Sequence, residues 1–523
     1  MTGTDRSGAA HDTVHTDGHW DEVIVGAGSA GATLAGRLSE DPGRRVLLLE
    51  AGPDEGGAVP GSPDNPVLSG ANWDHSAYVA QESEDGRRYP YVVGRTVGGS
   101  SAVNGALALR GLPGDFDAWA AAGNPAWSWE QVLPHFVRME TDHDVKGPEH
   151  GGDGPLPIRR QPPDAFGPLT AAFLRACHSL GVAGVADLNA ADCRTGAGPV
   201  PRNEWQGRRI STADAYLGPA RNRRNLTVAG HRTVTRVLFD GDRAIGVEAV
   251  ADGRTVRIGA DRVTLSAGAI GTPVVLLRSG VGPADALRRL GIRPVADLPG
   301  VGANLMEHPI VALWGIPDAG CCRPGEPMHQ ALARVSSDGG PPDLNLTLVN
   351  SVCDLDVPVM RGVLRGRTGC ALHACLLTPR SRGSVTLRGT GPDARPVIEL
   401  GLLSDPWDVE RLMTGVRMLW RMVRGSHLAP LLERVFLWTD RTVENEAMLR
   451  RAVSRFVCPS WHPAGTAVMG PAARRTAVVD ERFGVHSLNG LRVVDASVMP
   501  TMPSAPTNLT TIMLGERAAS WST

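Results

Sequence analysis

The stretch Asp21-Glu-Val-Ile-Val25-Gly26-Ala-Gly28-Ser-Ala-Gly31, continuing as Ala-Thr-Leu-Ala-Gly-Arg-Leu38, decides how this chain begins to fold. A β-rich run enters a tight glycine turn, and apolar residues at helical spacing follow, which predicts strand, turn and helix. Gly26 permits the turn, Gly28 lets a pyrophosphate approach the backbone, and Gly31 lets the helix lie close to the strand with its N-terminus facing the phosphates. A second apolar strand, Val46 to Leu49, ends at Glu50, nineteen residues after Gly31. A carboxylate there accepts hydrogen bonds from a ribose diol. Together these features predict a dinucleotide-binding unit, and they do not distinguish NAD from FAD.

The rest of the composition works mainly by exclusion. Gly (63) and Pro (40) are abundant in 523 residues, while the apolar fraction of 42% is ordinary for a globular protein. Lys146 is the single lysine among 53 basic residues, which removes a Walker lysine and a Schiff-base lysine. A net charge of -2 gives no electrostatic case for nucleic acid. Eight cysteines without CxxC spacing argue against zinc, and no metal site is expected. They suit a reduced, cytoplasmic protein, with Cys321-Cys322 a loop rather than a disulfide and Cys458 a small apolar residue in a buried strand. Residues 1–19 lack an apolar core and predict a disordered tail in which His11, His15 and His19 are solvated, and no apolar run predicts a membrane span. Arginine in place of lysine hints at a GC-rich bacterial genome.

Further blocks extend the reading. Gly94-Arg-Thr-Val-Gly98-Gly99-Ser-Ser-Ala-Val-Asn104-Gly105 brings backbone N–H groups against a second phosphate or a planar ring, or is a buried glycine turn. Then come Gly268-Ala-Ile-Gly-Thr272-Pro273, Gly300-Val-Gly302-Ala-Asn304-Leu305 with Glu307-His308-Pro309, Trp461-His462-Pro463-Ala-Gly465-Thr466, and Leu491-Arg-Val-Val-Asp495-Ala496-Ser497. In these blocks and their order, the chain from about residue 20 to 520 resembles the glucose-methanol-choline (GMC) family of FAD-dependent oxidoreductases, which includes choline dehydrogenase-like and alcohol dehydrogenase-like enzymes.

The resemblance implies an α/β fold, α+β overall, in which a Rossmann-like FAD-binding domain carries a second, substrate-binding domain built on an antiparallel sheet. The implied division assigns 20–155, 205–308 and 456–523 to the FAD-binding domain and 156–204 and 309–455 to the substrate domain. It assigns cofactor contacts to Gly26, Gly28, Ser29, Ala30, Gly31, Glu50 and Ala51; to Gly94, Arg95, Gly98, Gly99, Ser100, Asn104, Gly105 and Ala106; to Val234 behind the adenine, Ala267 and Gly268; and to Asp495, Ala496, Thr507, Asn508 and Leu509. Some members carry a covalent flavin bond on the residue that is Val103 here, so FAD is expected to be non-covalent.

Local patterns add elements. Asn225 to Val237 and Ala244 to Ala251 predict a hairpin across Asp240-Gly241-Asp242. Val263 to Ser266 predicts a buried strand, and Thr272-Pro273 a helix start running to Leu277. Asp343 to Val349 and Ser384 to Arg388 alternate as strands of an antiparallel sheet over the flavin, and Val409 to Met422 has helical spacing.

Oxidising an alcohol through FAD, with hydride passing to flavin N5, requires a base of near-neutral pKa for the hydroxyl proton. His462 stands where the family places that base; without the family, a histidine before proline is more often structural. His308 is expected to hold a loop and His486 to lie in a turn, neither of them catalytic. The family's second polar partner, asparagine or histidine, is replaced by Pro506, which has neither a polar side chain nor an N–H. Ser504, Thr507 or Asn508 then supplies the contact, or the chemistry dispenses with it. The expected partners are a small alcohol from metabolite or biosynthetic tailoring and an electron acceptor, dioxygen or a quinone or carrier protein. Asn345 is a pocket candidate for the alcohol. A hydroxynitrile lyase-like or light-driven decarboxylase-like use of FAD stays open, as does FAD binding without catalysis.

Overall fold

A computed structural model describes residues 18–54, 78–81, 86–322, 326–352 and 361–522. Strand β1 (His19–Val25) enters helix α1 (Ser29–Leu38) through the glycine turn, and β2 (Val46–Leu49) follows. All four β2 side chains are buried, as a central parallel strand requires, and each contributes roughly 1.5–3 kcal/mol. The last residue of the expected tail, His19, belongs to β1. His19 already pairs with Gly259, and its Nε2 lies 2.7 Å from Asp261, whereas His11 and His15 fall outside the described residues.

The first sheet has seven strands. β3 (Leu226–Ala229), β2, β1, β6 (Arg254–Leu265) and the strand Leu491–Val493 run parallel, and β5 (Arg243–Ala251) and β4 (Arg232–Asp240) continue antiparallel from β6. The run Asn225 to Val237 is therefore two strands rather than one. His231 at φ 53° breaks it, so that β3 pairs with β2 while β4 makes the expected hairpin with β5.

Helix α2 (Gly268–Arg278) starts four residues before Thr272, so Pro273 lies inside the helix rather than at its start. A proline there leaves the carbonyl four residues earlier without its helical donor. The Thr466 hydroxyl takes that place, donating to Ala269 O at 2.6 Å.

The second sheet is antiparallel throughout, in the order Leu432–Val435, β7 (Pro309–Pro317), β10 (Gly369–Leu376), β9 (Leu344–Val352), β8 (Ala331–Val335) and Gly196–Pro199. Helix α3 (Pro406–Arg424) covers it, started by Pro406 and by the Asp405 carboxylate accepting from Trp407 N at 2.8 Å. Gly415 allows the close approach, since a Cβ there would stand 2.9 Å from the Ala374 Cβ. Ser384–Thr386 belongs elsewhere: it pairs in a four-stranded sheet with Val397–Glu399, Tyr78–Gln81 and Arg88–Tyr91. Cys458 sits on a two-residue strand paired to β7 but is exposed, because it occupies the outer side of that edge. Cys321 and Cys322 are both free thiols. No helix among the described residues is long and apolar enough to cross a membrane.

Candidate active site

A cavity of about 700 Å³ runs from the glycine turns of the first sheet to the face of the second. Gly26, Gly28, Ser29, Ala30, Glu50, Ala51, Gly94, Arg95, Gly99, Ser100, Asn104 and Gly105 line it, with Val234, Ala267, Gly268, Asp495, Ala496, Thr507 and Asn508. Four residues expected at the cofactor do not. Gly31 and Gly98 work from behind the turns, and Ala106 and Leu509 are fully buried in the packing beneath them. The two turns touch: a Cβ on Gly99 would stand 2.6 Å from Gly28 Cα, and one on Gly31 would stand 2.0 Å from Gly26 O. Glu50 accepts from Ala27 N (3.0 Å) and Gly52 N (2.9 Å), and burial pushes its carboxyl above the usual range.

Helix α4 (Thr507–Ser520) begins at the cavity with Pro506 as its cap. Asn508 Oδ1 accepts from Ser29 Oγ at 2.8 Å, while its buried Nδ2 has no protein partner. A buried amide donor left open beside a cradle too tight for side chains fits a planar ring with carbonyl acceptors and a pyrophosphate, which are the parts of FAD. Asp495 lines the cavity, but its carboxylate is committed to Gly268 N (2.9 Å), Thr272 Oγ1 (2.5 Å) and Ser497 N (2.8 Å).

His462 lines the same cavity. It follows Trp461, which is held at φ 58° in the left-handed region that a bulky residue seldom adopts. The segments around 306–310 and 458–464 run antiparallel: Met306 and Ala464 exchange hydrogen bonds, and Ser460 N donates to His308 O at 3.0 Å. Trp461 and His462 bulge out of this ladder, and the buried Glu307 carboxylate fills the gap. Its Oε1 accepts from His462 N (2.8 Å) and His308 N (2.9 Å), and its Oε2 from the Tyr91 hydroxyl. Burial raises the Glu307 carboxyl to about 7 against these donors.

His308 is fully buried and touches His462: Nδ1 lies 3.0 Å from His462 Nδ1 and Nε2 lies 2.9 Å from Leu377 O. Burial first, and then His308, hold His462 well below its ordinary value, so its ring is neutral at pH 7. His486 is remote from this pair and bonds Gly470 O at 3.0 Å.

The far wall was largely invisible in the sequence. Strand alternation turns Asn345, Thr347 and Val349 of β9 and His373 and Cys375 of β10 into the cavity, with Ile310, Trp314 and His329 beside them. Asn345 Oδ1 and His329 Nδ1 are buried without protein partners. Among the described residues of this wall there is no carboxylate and no cation, because burial lowers His329 to about 3 and His373 to about 4. Parity along the strands was the available signal, and Asn345 alone was read from it.

Next to Pro506, the candidates separate. Ser504 does not line the cavity, and its hydroxyl and N–H both donate to Asp115, at 2.7 Å each. Thr507 and Asn508 do line it.

A dinucleotide cradle opening onto a pair of neutral histidines is the arrangement of an oxidoreductase, and the family match makes its cofactor FAD. The chain belongs to the GMC oxidoreductase family, whose amino-terminal domain matches residues 20–310 and whose carboxy-terminal domain matches residues 379–515. It is 35% identical to the 5-(hydroxymethyl)furfural oxidase of Methylovorus sp., over 96% of this chain and 98% of that enzyme. It is 34% identical to human mitochondrial choline dehydrogenase, over 95% and 88%. The crystal structure of pyridoxine 4-oxidase from Mesorbium loti superposes with a TM-score of 0.88 at 32% identity, over 96% of this chain and 99% of that one.

Proposed function

We propose that the protein oxidises an uncharged alcohol bearing a second hydrogen-bonding group to its carbonyl, with His462 as the proton acceptor. The observation that carries this reading is that His462, neutral and anchored on Glu307, lines one cavity together with the glycine cradle. When bound, FAD supplies the acceptor for the hydride. Gly28, Gly99 and Glu50 would hold its adenosine diphosphate part, and Asn508 Nδ2 would be a donor for its ring system. The residues that line the cradle and those that line the far wall fall on opposite sides of the domain division inferred from the family, which we retain as a proposal.

The wall selects the substrate. Asn345 and Thr347 offer hydrogen bonds to a second polar group, while an alkylammonium alcohol such as choline meets no carboxylate among the described residues there. Thr507 is the remaining candidate for the contact that Pro506 cannot make.

Anaerobic bleaching of the bound flavin over a panel of neutral and cationic alcohols tests the proposal, and dioxygen admitted afterwards reads the electron acceptor. Neutral alcohols should bleach the flavin fastest, and H462A should be slowed at least a hundredfold. Fastest bleaching by choline refutes the substrate class, and an unchanged rate in H462A refutes the base.

A further inference from the structure

We infer that His308 is a positioning residue that fixes the tautomer of His462, so that the nitrogen left to accept the substrate proton is Nε2. The inference rests on His462 being the base.

The argument starts at a carbonyl. Leu377 O can only accept, and it lies 2.9 Å from His308 Nε2, so that nitrogen carries a proton. His308 is fully buried, which lowers it to about 4 against the Leu377 and Pro503 carbonyls that face the ring, and it stays singly protonated at neutral pH. Its Nδ1 is therefore a lone-pair acceptor. That atom lies 3.0 Å from His462 Nδ1, and two lone pairs at this distance repel. The contact is a hydrogen bond only when His462 carries its proton on Nδ1, which leaves the Nε2 lone pair open. The proton order thus runs from a backbone carbonyl through one imidazole into the next.

The proton-transfer step balances within the pair. The substrate O–H breaks, an Nε2–H forms, and His462 becomes an imidazolium whose Nδ1–H still donates to His308. That hydrogen bond becomes charge-assisted as the proton arrives, so it strengthens when the step needs it. His308 takes no proton. Glu307, with Tyr91 on its second oxygen, fixes both backbones, donating nothing to either ring.

Three variants and one spectrum test this. H308F removes the acceptor and should slow anaerobic flavin reduction at least tenfold with KM nearly unchanged. H308Q offers an amide oxygen to His462 Nδ1 and an amide N–H to Leu377 O, and should recover to within about fivefold of wild type. H308F at the wild-type rate, or equal loss in H308F and H308Q at wild-type flavin content, overturns the inference while leaving the base intact. H462A at an unchanged rate removes the base itself, a distinct failure. In the unmodified holoenzyme, 15N-histidine NMR should show His462 protonated at Nδ1 and unprotonated at Nε2, and the reverse assignment overturns the inference even if every variant misfolds.

Discussion

Glu307 predicts how stability depends on pH. Its carboxyl is raised from 4.5 to about 7, with burial the largest cause. Between these values the native state holds a proton that the unfolded chain has released, so folding stability falls as pH rises through this window. At 1.36 kcal/mol per pH unit, the loss amounts to about 3 kcal/mol. E307Q does not titrate there, and its amide oxygen still accepts from His462 N and His308 N. For a chain of this length an unfolding entropy of about 1.1 kcal/mol per degree turns the difference into about 3 °C. Thermal unfolding of wild type and E307Q, followed by flavin fluorescence at pH 5 and pH 8, should show the variant gaining about 2–3 °C on wild type between the two values. Titrations shared by both proteins cancel in this difference. A gap that is the same at pH 5 and pH 8 would refute the argument that a buried charge is tolerated here to hold the loop.

Other consequences are as direct. G99V drives a side chain into Gly28, 2.6 Å from the position of its Cβ, and should purify with little or no flavin, as read from absorbance at 450 nm. S504A loses a hydrogen bond to Asp115, costing about 1 kcal/mol, and should leave flavin reduction within twofold of wild type because Ser504 is outside the cavity. His150 is raised to about 11 by Asp142, Asp187 and Glu140, within a buried network that also includes Arg110 and Arg160. A raised histidine stabilises fully below about pH 6.5, and the contribution is lost as pH rises through 11. H150Q should therefore lower the melting temperature at pH 8 and approach wild type near pH 11.

The cradle was legible because its requirements are local: Gly26, Gly28 and Gly31 lie within six residues, and the strand and helix that flank them carry ordinary periodicities. The position of His462 at the cavity was legible through its block. What joined it to His308 was not, since 154 residues separate the two and a ladder between distant segments sets their contact. The far wall needed the register of β9 against β10, which no single strand encodes. Pro273 misplaced a helix start because the hydroxyl that substitutes for its lost hydrogen bond, Thr466, lies 193 residues away from it. Cys458 was misread because a two-residue edge strand looks like a buried one.

The bond from Thr466 to the Ala269 carbonyl has a mechanical meaning. Thr466 ends the block that carries His462, and Ala269 is in the first turn of the helix that opens beside the cradle. The proline that breaks the helix's own bonding pattern creates the socket in which the loop carrying His462 is pinned. The helix beside the cofactor seat and the loop that carries His462 are thus fastened to each other at one point.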